Sequence, residues 1–260
     1  MKKGLLAVPY ILLDTKAPIP FPEAQVTIYQ PSIKEIGMSG DESRVLLGVN
    51  AITKDYSQIQ DKSIPTQLSN FDIFMTVIQE KSEQGRQIAE AVEEVLYLLF
   101  PDYKIAFTPR SIILQREGQT NMIDANTFNK FQNIIYDMFC LVELTGVAQD
   151  DYNPGGDRAR ALVEQFRKKR ELLAELRKER GEENALDSLY CRYIDILAVG
   201  EKKDKNDLSN YSIFQLVEEF KRFQLKETFD YTIQAKMAGA TKIKDAKDWM
   251  GPIQFGSDDD

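Results

Sequence analysis

The sequence predicts an α+β fold that is predominantly helical. An N-terminal domain with a small β-sheet spans residues 1–148, an all-helical C-terminal domain spans 149–256, and an acidic tail closes the chain at 257–260. Three observations carry this. Strand-like stretches are confined to the part of the chain before Asp124. Apolar side chains recur at helical spacing in several long runs. The composition also changes abruptly at Gln149–Gly156, where a turn rich in Asp, Asn, Pro and Gly opens a highly charged segment.

The elements follow in order. Leu5–Leu13 and Gln25–Tyr29 read as extended, separated by Pro18-Ile19-Pro20-Phe21-Pro22, which no helix tolerates. Ser32 starts a helical turn and Glu35 stands three residues on, the spacing of a capping box. Residues 41–53 form a helix with Val45, Leu46, Val49 and Ile52 on one face. Phe71, Phe74, Val77 and Ile78 make one apolar stripe, and Ile88, Val92, Val95, Leu96 and Leu99 make another. Tyr103–Phe107 and Ser111–Arg116 alternate as a hairpin around Thr108-Pro109-Arg110. Asp124 caps a helix that buries Phe128, Phe131, Ile135, Met138 and Phe139.

Beyond the composition change, Asp157 caps an amphipathic helix reaching Arg180, with nine Lys/Arg against five Asp/Glu. Leu186–Leu197 forms a more apolar helix, and the lysine-rich Gly200–Asn206 reads as a loop. Ser212 and Gln215 repeat the capping-box spacing at the start of a helix reaching Met237, which Gly239 ends. A short last helix is expected to bear Trp249, the only tryptophan. That side chain either locks the last helix or anchors a partner.

Composition narrows the chemistry. With 260 residues and 43% apolar content the chain can bury one good core or two smaller ones. A net charge of −8 argues against a surface that grips nucleic acid throughout. The absence of histidine excludes Ser-His-Asp and Cys-His machinery and any histidine-ligated metal. Cys140 and Cys191 form neither a disulfide framework nor a zinc pattern, so a reducing compartment fits. Lys2-Lys3 before the apolar Leu5–Leu13 run imitates a signal peptide. Pro9, Asp14 and the lack of a small-residue cleavage site argue against one. No run approaches the roughly 20 apolar residues of a membrane span.

Three sites are weighed and set aside. Asp150, Asp151 and Asp157 could offer oxygen ligands to calcium or magnesium, but turn formation and helix capping account for them better. Arg167-Lys168-Lys169-Arg170 could touch phosphates. The interleaved Glu164, Glu171, Glu175 and Glu179 instead make the pairs of a solvated or protein-binding helix. Asp204, Asn206 and Asp207 imitate a calcium loop until Leu208 takes a position that needs oxygen.

The order of the C-terminal motifs carries a resemblance. Tyr152-Asn153-Pro154 leads into the charged helix ending at Leu173-Ala174-Glu175-Leu176-Arg177-Lys178. Asn210-Tyr211-Ser212-Ile213-Phe214-Gln215-Leu216, Phe220-Lys221-Arg222-Phe223, Ala235-Lys236-Met237-Ala238-Gly239-Ala240 and Asp248-Trp249-Met250 follow. With Ile33-Lys34-Glu35-Ile36-Gly37 and Ile123-Asp124-Ala125-Asn126-Thr127-Phe128, this order resembles tail-morphogenesis proteins of tailed bacteriophages, the tail assembly or baseplate-hub assembly chaperones. Gly155-Gly156 departs from the pattern and loosens the hinge. The resemblance implies a protein without enzymatic activity or cofactor that works in the bacterial host's cytoplasm. Its partner would be a tape-measure or baseplate-hub component, with no membrane or nucleic-acid role; self-association is left open. Such clients expose helical seam residues before assembly. The expected contact surface is Phe166, Leu173, Phe214, Phe220, Phe223 and Trp249. The alternatives are a structural tail or baseplate subunit retained in the virion, a metal-dependent enzyme using Asp150, Asp151 and Asp157, and a nucleic-acid adaptor using residues 167–170.

Overall fold

A computed structural model describes residues 6–39, 42–56, 68–141, 189–239, 248–251 and 253. The charged helix expected at 157–180, with Phe166, Leu173 and the 167–170 cluster, lies outside the described residues. So do Asp150, Asp151, Asp157, the 149–156 boundary and the acidic tail.

The architecture is α+β and predominantly helical, with the sheets in the N-terminal part. Instead of a strand, the apolar N-terminal run holds a short helix, α1 (Tyr10–Asp14), that starts after Pro9. A continuous apolar run has no period to separate helix from strand, so this difference was invisible to pattern alone. β1 (Ile19–Phe21) and β2 (Val26–Ile28) pair antiparallel, Ile19 opposite Ile28 and Phe21 opposite Val26. Their alternate residues point into the core. Gln25 adopts a left-handed conformation at the end of the Pro22–Ala24 turn that joins them.

α2 (Ile33–Ser39) begins with the expected box. The Ser32 amide donates to Glu35 at 2.7 Å and the Glu35 amide donates to Ser32 Oγ at 3.2 Å. α3 (Glu42–Thr53), α4 (Asn70–Ile78), α5 (Glu83–Leu99) and α6 (Phe128–Met138) surround an aromatic centre. Phe128 lies 4.8 Å from Phe74 and 5.0 Å from Phe71, ring centre to ring centre. Phe131 joins Phe100 and Phe21 to the same cluster. The residue at the start of α6 is Thr127, not Asp124, and its side chain makes no capping hydrogen bond; the Asp124 carboxylate accepts the amides of Asn126 and Thr127 and shapes the turn before the helix.

The hairpin β3 (Lys104–Thr108) and β4 (Ser111–Arg116) gains a third strand, β5 (Gln119–Ile123). The turn into β5 is Glu117-Gly118, both residues at positive φ, the conformation that suits a tight hairpin. Polar Gln119, Thr120 and Asn121 hid the strand from hydrophobic patterning.

α7 (Leu189–Gly200), α8 (Lys205–Ser209) and α9 (Ile213–Met237) complete the described elements. Tyr190, Ile194, Leu197, Leu208, Ile213, Phe214, Leu216 and Val217 are buried in the same apolar cluster as the N-terminal elements. The Ile33 amide donates to the Tyr211 carbonyl, and Ser32 bridges Ser212, so the two capping boxes sit side by side. The lysine-rich segment after α7 is tied down. Asp204 caps α8, and Lys203 pairs with Glu201 and Glu219. Gly239 ends α9 at φ 93°. Residues 248–251 form a turn rather than the expected helix, with the Met250 amide donating to Asp248 Oδ1. Cys140 is buried and Cys191 exposed.

Helices α3 and α5 meet at Gly48. A Cβ there would come within 2.7 Å of the Ala91 carbonyl carbon and 2.8 Å of Val95. Backbone cannot yield as a flexible side chain does. Gly48→Ala is therefore expected to lower stability by about 2 kcal/mol, read as a shifted midpoint in urea unfolding; an unchanged midpoint would show that the two helices separate at no cost.

Candidate partner interface

α7 and α9 pack as a pair through stacked rings. Tyr193 lies on Phe220 at 4.0 Å and 11° between planes. Gly200 ends α7 where a Cβ would stand 2.5 Å from the Phe223 ring, so the missing side chain makes room for that aromatic. Phe220 and Phe223 are half-buried against the core.

Phe214 is placed differently from the expected contact surface. It is fully buried, with its ring edge-on to Tyr10 at 5.6 Å. The first turns of α9 point into the core, so an aromatic there serves packing and offers no surface. Trp249 is half-buried in its turn, and its carbonyl accepts Arg222 Nη1 at 3.0 Å. Of the expected six residues, Phe220 and Phe223 thus lie against α7 and the core, and Trp249 is tied to Arg222 of the same helix α9.

Arg222 is the polar centre of this region. Its Nε and Nη2 donate to Glu218 Oε1 at 3.0 and 2.6 Å, and the Tyr10 hydroxyl donates to the same oxygen at 3.0 Å. Burial and the adjacent Glu218 carboxylate push the Tyr10 hydroxyl up to about 12, so it remains a neutral donor. One cation and one hydroxyl thus converge on a single oxygen of a buried carboxylate, the charge-assisted pairing that such a group needs.

Past Arg222 the helix leaves the core. Leu225, Phe229, Ile233 and Met237 recur every fourth residue, a ridge about 18 Å long at 1.5 Å per residue. Exposure rises along it: Leu225 and Phe229 are half-buried, Ile233 is 41% exposed and Met237 84%. Val199 and Ile196 on α7, and Met250 beyond Trp249, are exposed as well. The expected contact surface drew Phe214, Phe220 and Phe223 from this helix. It had favoured the aromatics at the N-terminal end, because periodicity cannot say where a helix parts from its core.

Two open clefts lie elsewhere. One of about 410 Å³ is lined by Asp102, Lys104, Gln115, Arg116, Glu117 and Gly118. The other, about 380 Å³, is lined by Arg44, Glu90, Glu93, Glu94 and Tyr97 among others. Each holds ion pairs among its own residues, Arg116 with Asp102 and Arg44 with Glu90 and Glu94. Among the described residues no group of three His, Cys, Asp or Glu is placed to hold a metal ion. No described helix is long and apolar enough to cross a membrane.

Residues 192–254 match the family model described as the YomV second domain, a phage-associated family. The match runs from the fourth residue of α7 through α9 and the Trp249 turn. It supports a phage origin for the chain. The chain matches no curated protein and no solved structure.

Removing Arg222 would strand Glu218, whose side chain is 8% exposed. Arg222→Ala is expected to cost about 2 kcal/mol in urea unfolding. It should also make Trp249 fluorescence more accessible to acrylamide, since the turn loses its tether. Quenching identical to the parent protein would mean that the turn is held by something else.

Proposed function

We propose that the chain is a non-enzymatic phage tail-morphogenesis protein that acts as an assembly chaperone. Its client would be an amphipathic helix of a tape-measure or baseplate-hub protein, held on the exposed half of α9. The observation that carries this reading is the apolar ridge Leu225–Met237, which projects from a helix whose first turns are fixed in the core. A surface of this kind serves helix recognition through side chains at i and i+4. The phage-associated match over residues 192–254 includes the ridge. The similarity in motif order to tail assembly chaperones supplies the class of client, and a holdase needs no cofactor.

The test is a pull-down of the full chain against the proteins encoded beside its gene, with the double variant Ile233→Glu, Met237→Glu as control. These side chains are exposed, so the variant should unfold within about 0.5 kcal/mol of the parent. Recovery of a long helical tail protein that falls at least tenfold with the variant is the expected result. Equal recovery would remove the ridge from the reading. Stoichiometric retention of the chain in purified particles, seen by mass spectrometry, would turn it toward a structural subunit.

A further inference from the structure

The segment Leu6–Ala17 is fastened to both halves of the molecule. At its start the amides of Ala7 and Val8 donate to Asp137 Oδ2 on α6, at 2.5 and 3.1 Å. In its middle Tyr10 reaches Glu218 on α9 and covers the Phe214 ring. Toward its end Gln215 Nε2 donates to the Asp14 carbonyl at 2.6 Å, and Lys16 Nζ donates to the Asn210 carbonyl at 3.1 Å. On the other side Gln30 Nε2 donates to the carbonyls of Leu12 and Ala17. Val8 and Leu13 are plugs, 2% and 0% exposed.

The seam beneath is less well filled. A cavity of about 10 Å³, lined by Gln30, Pro31, Met138, Phe139, Ser212 and Ile213, lies where α6 meets the start of α9. The buried Gln30 Oε1 has no protein partner. A seam with a gap and an unpaired oxygen loses fewer contacts on opening than a filled one.

We propose that residues 6–17 form a strap that fastens α9 to the N-terminal core. Its release at Asp137 uncovers Phe214 and extends the exposed ridge of α9 back toward the core.

Protonation sets the tension in the strap. Burial pushes the Asp137 carboxyl up to about 6, against the pull of the two amides. The groups around the strap are Tyr136 beside Asp137, Tyr10 on the strap, Glu218 and Arg222 on α9, and Lys16 and Glu35 at the far end. Tyr136 is raised by burial and by Asp137, and Tyr10 stands at about 12, so both stay neutral. Glu35 lies below the ordinary range despite its burial, held there by Ser32, Tyr29 and Lys16. The strap's amides by themselves lower the Asp137 pKa, but release also opens the carboxyl to water and returns it toward the ordinary Asp value, so the fastened state, where burial outweighs the amides, binds more protons than the released state. Fastening is therefore strongest below the ordinary Asp value, weakens as pH rises to about 6, and is level above that.

Hydrogen exchange of the full chain at pH 5.0 and 7.5, corrected for intrinsic rates, tests this. Strap amides should exchange before those of α5 and lose about tenfold in protection between the two pH values, within the roughly hundredfold that two pH units allow. Asp137→Asn should abolish the pH response. Strap and α5 exchanging together, or a pH response that is absent or survives in Asp137→Asn, overturns the proposal. If Asp137→Asn does not unfold cooperatively, Tyr10→Phe replaces it. That variant must speed strap exchange and leave α5 unchanged, and unaltered strap exchange sinks the idea.

Discussion

The structure depends on the seating of the first two turns of α9. Ile213, Phe214, Leu216 and Val217 are buried in a cluster that also contains residues of the two-stranded sheet, α3, α5 and α6. Each such side chain contributes roughly 1.5–3 kcal/mol when fully removed from water. The Ser212–Gln215 box fixes where the helix starts, so its register in the core is set by two hydrogen bonds, at 2.9 and 3.2 Å. The rest of a 25-residue helix then has one direction available, which is outward. The exposed ridge follows from the burial at the other end of the same rod.

Where the rod leaves the core, charge takes over from burial. Glu218 is buried and would be costly alone; Arg222 one turn later and Tyr10 from the strap fill its oxygen. Replacing one partner of such a set strands the other, whereas the set as a whole adds little net stability. Its contribution is positional. It decides which face of α9 meets α1, and through the Trp249 carbonyl it decides where the chain returns. Asp137 does the same for the other end of the strap with backbone amides in place of a cation. That is why burial raises its pKa instead of being cancelled.

Much of this was legible in sequence, and the residues show why. Ser32 with Glu35 and Ser212 with Gln215 announced two helix starts, because a box is local chemistry that tertiary context does not alter. The stripes of α4, α5 and α6 were readable for the same reason: one buried face imposes one period. Leu5–Leu13 was misread as extended because an unbroken apolar run has no period, and Pro9 opens a helix there. β5 was hidden because only Met122 and Ile123 are apolar, although Glu117-Gly118 carried the turn signal. The contact of Gly48 with Ala91 joins two helices far apart in sequence, and no window of residues contains it. For the interface, the excess of apolar positions on α9 was visible, but the depth at which Phe214 sits and Met237 does not is a property of the assembled core.

The spacing of the exposed ridge constrains what can lie on it. Leu225, Phe229, Ile233 and Met237 are four residues apart, and a helix turns once in 3.6, so the ridge winds about 40° per step around α9. A parallel coiled-coil partner needs a seam that repeats every 3.5 residues and would lose contact after two of these side chains. A ridge of fourth residues packs instead into the grooves of a helix inclined at roughly −50°. A partner helix therefore suits α9 laid across it, touching two or three side chains at a time. Contacts so few would give weak grip at any one site and would leave the proposed client's own long seam largely unused, as the proposed chaperone role requires.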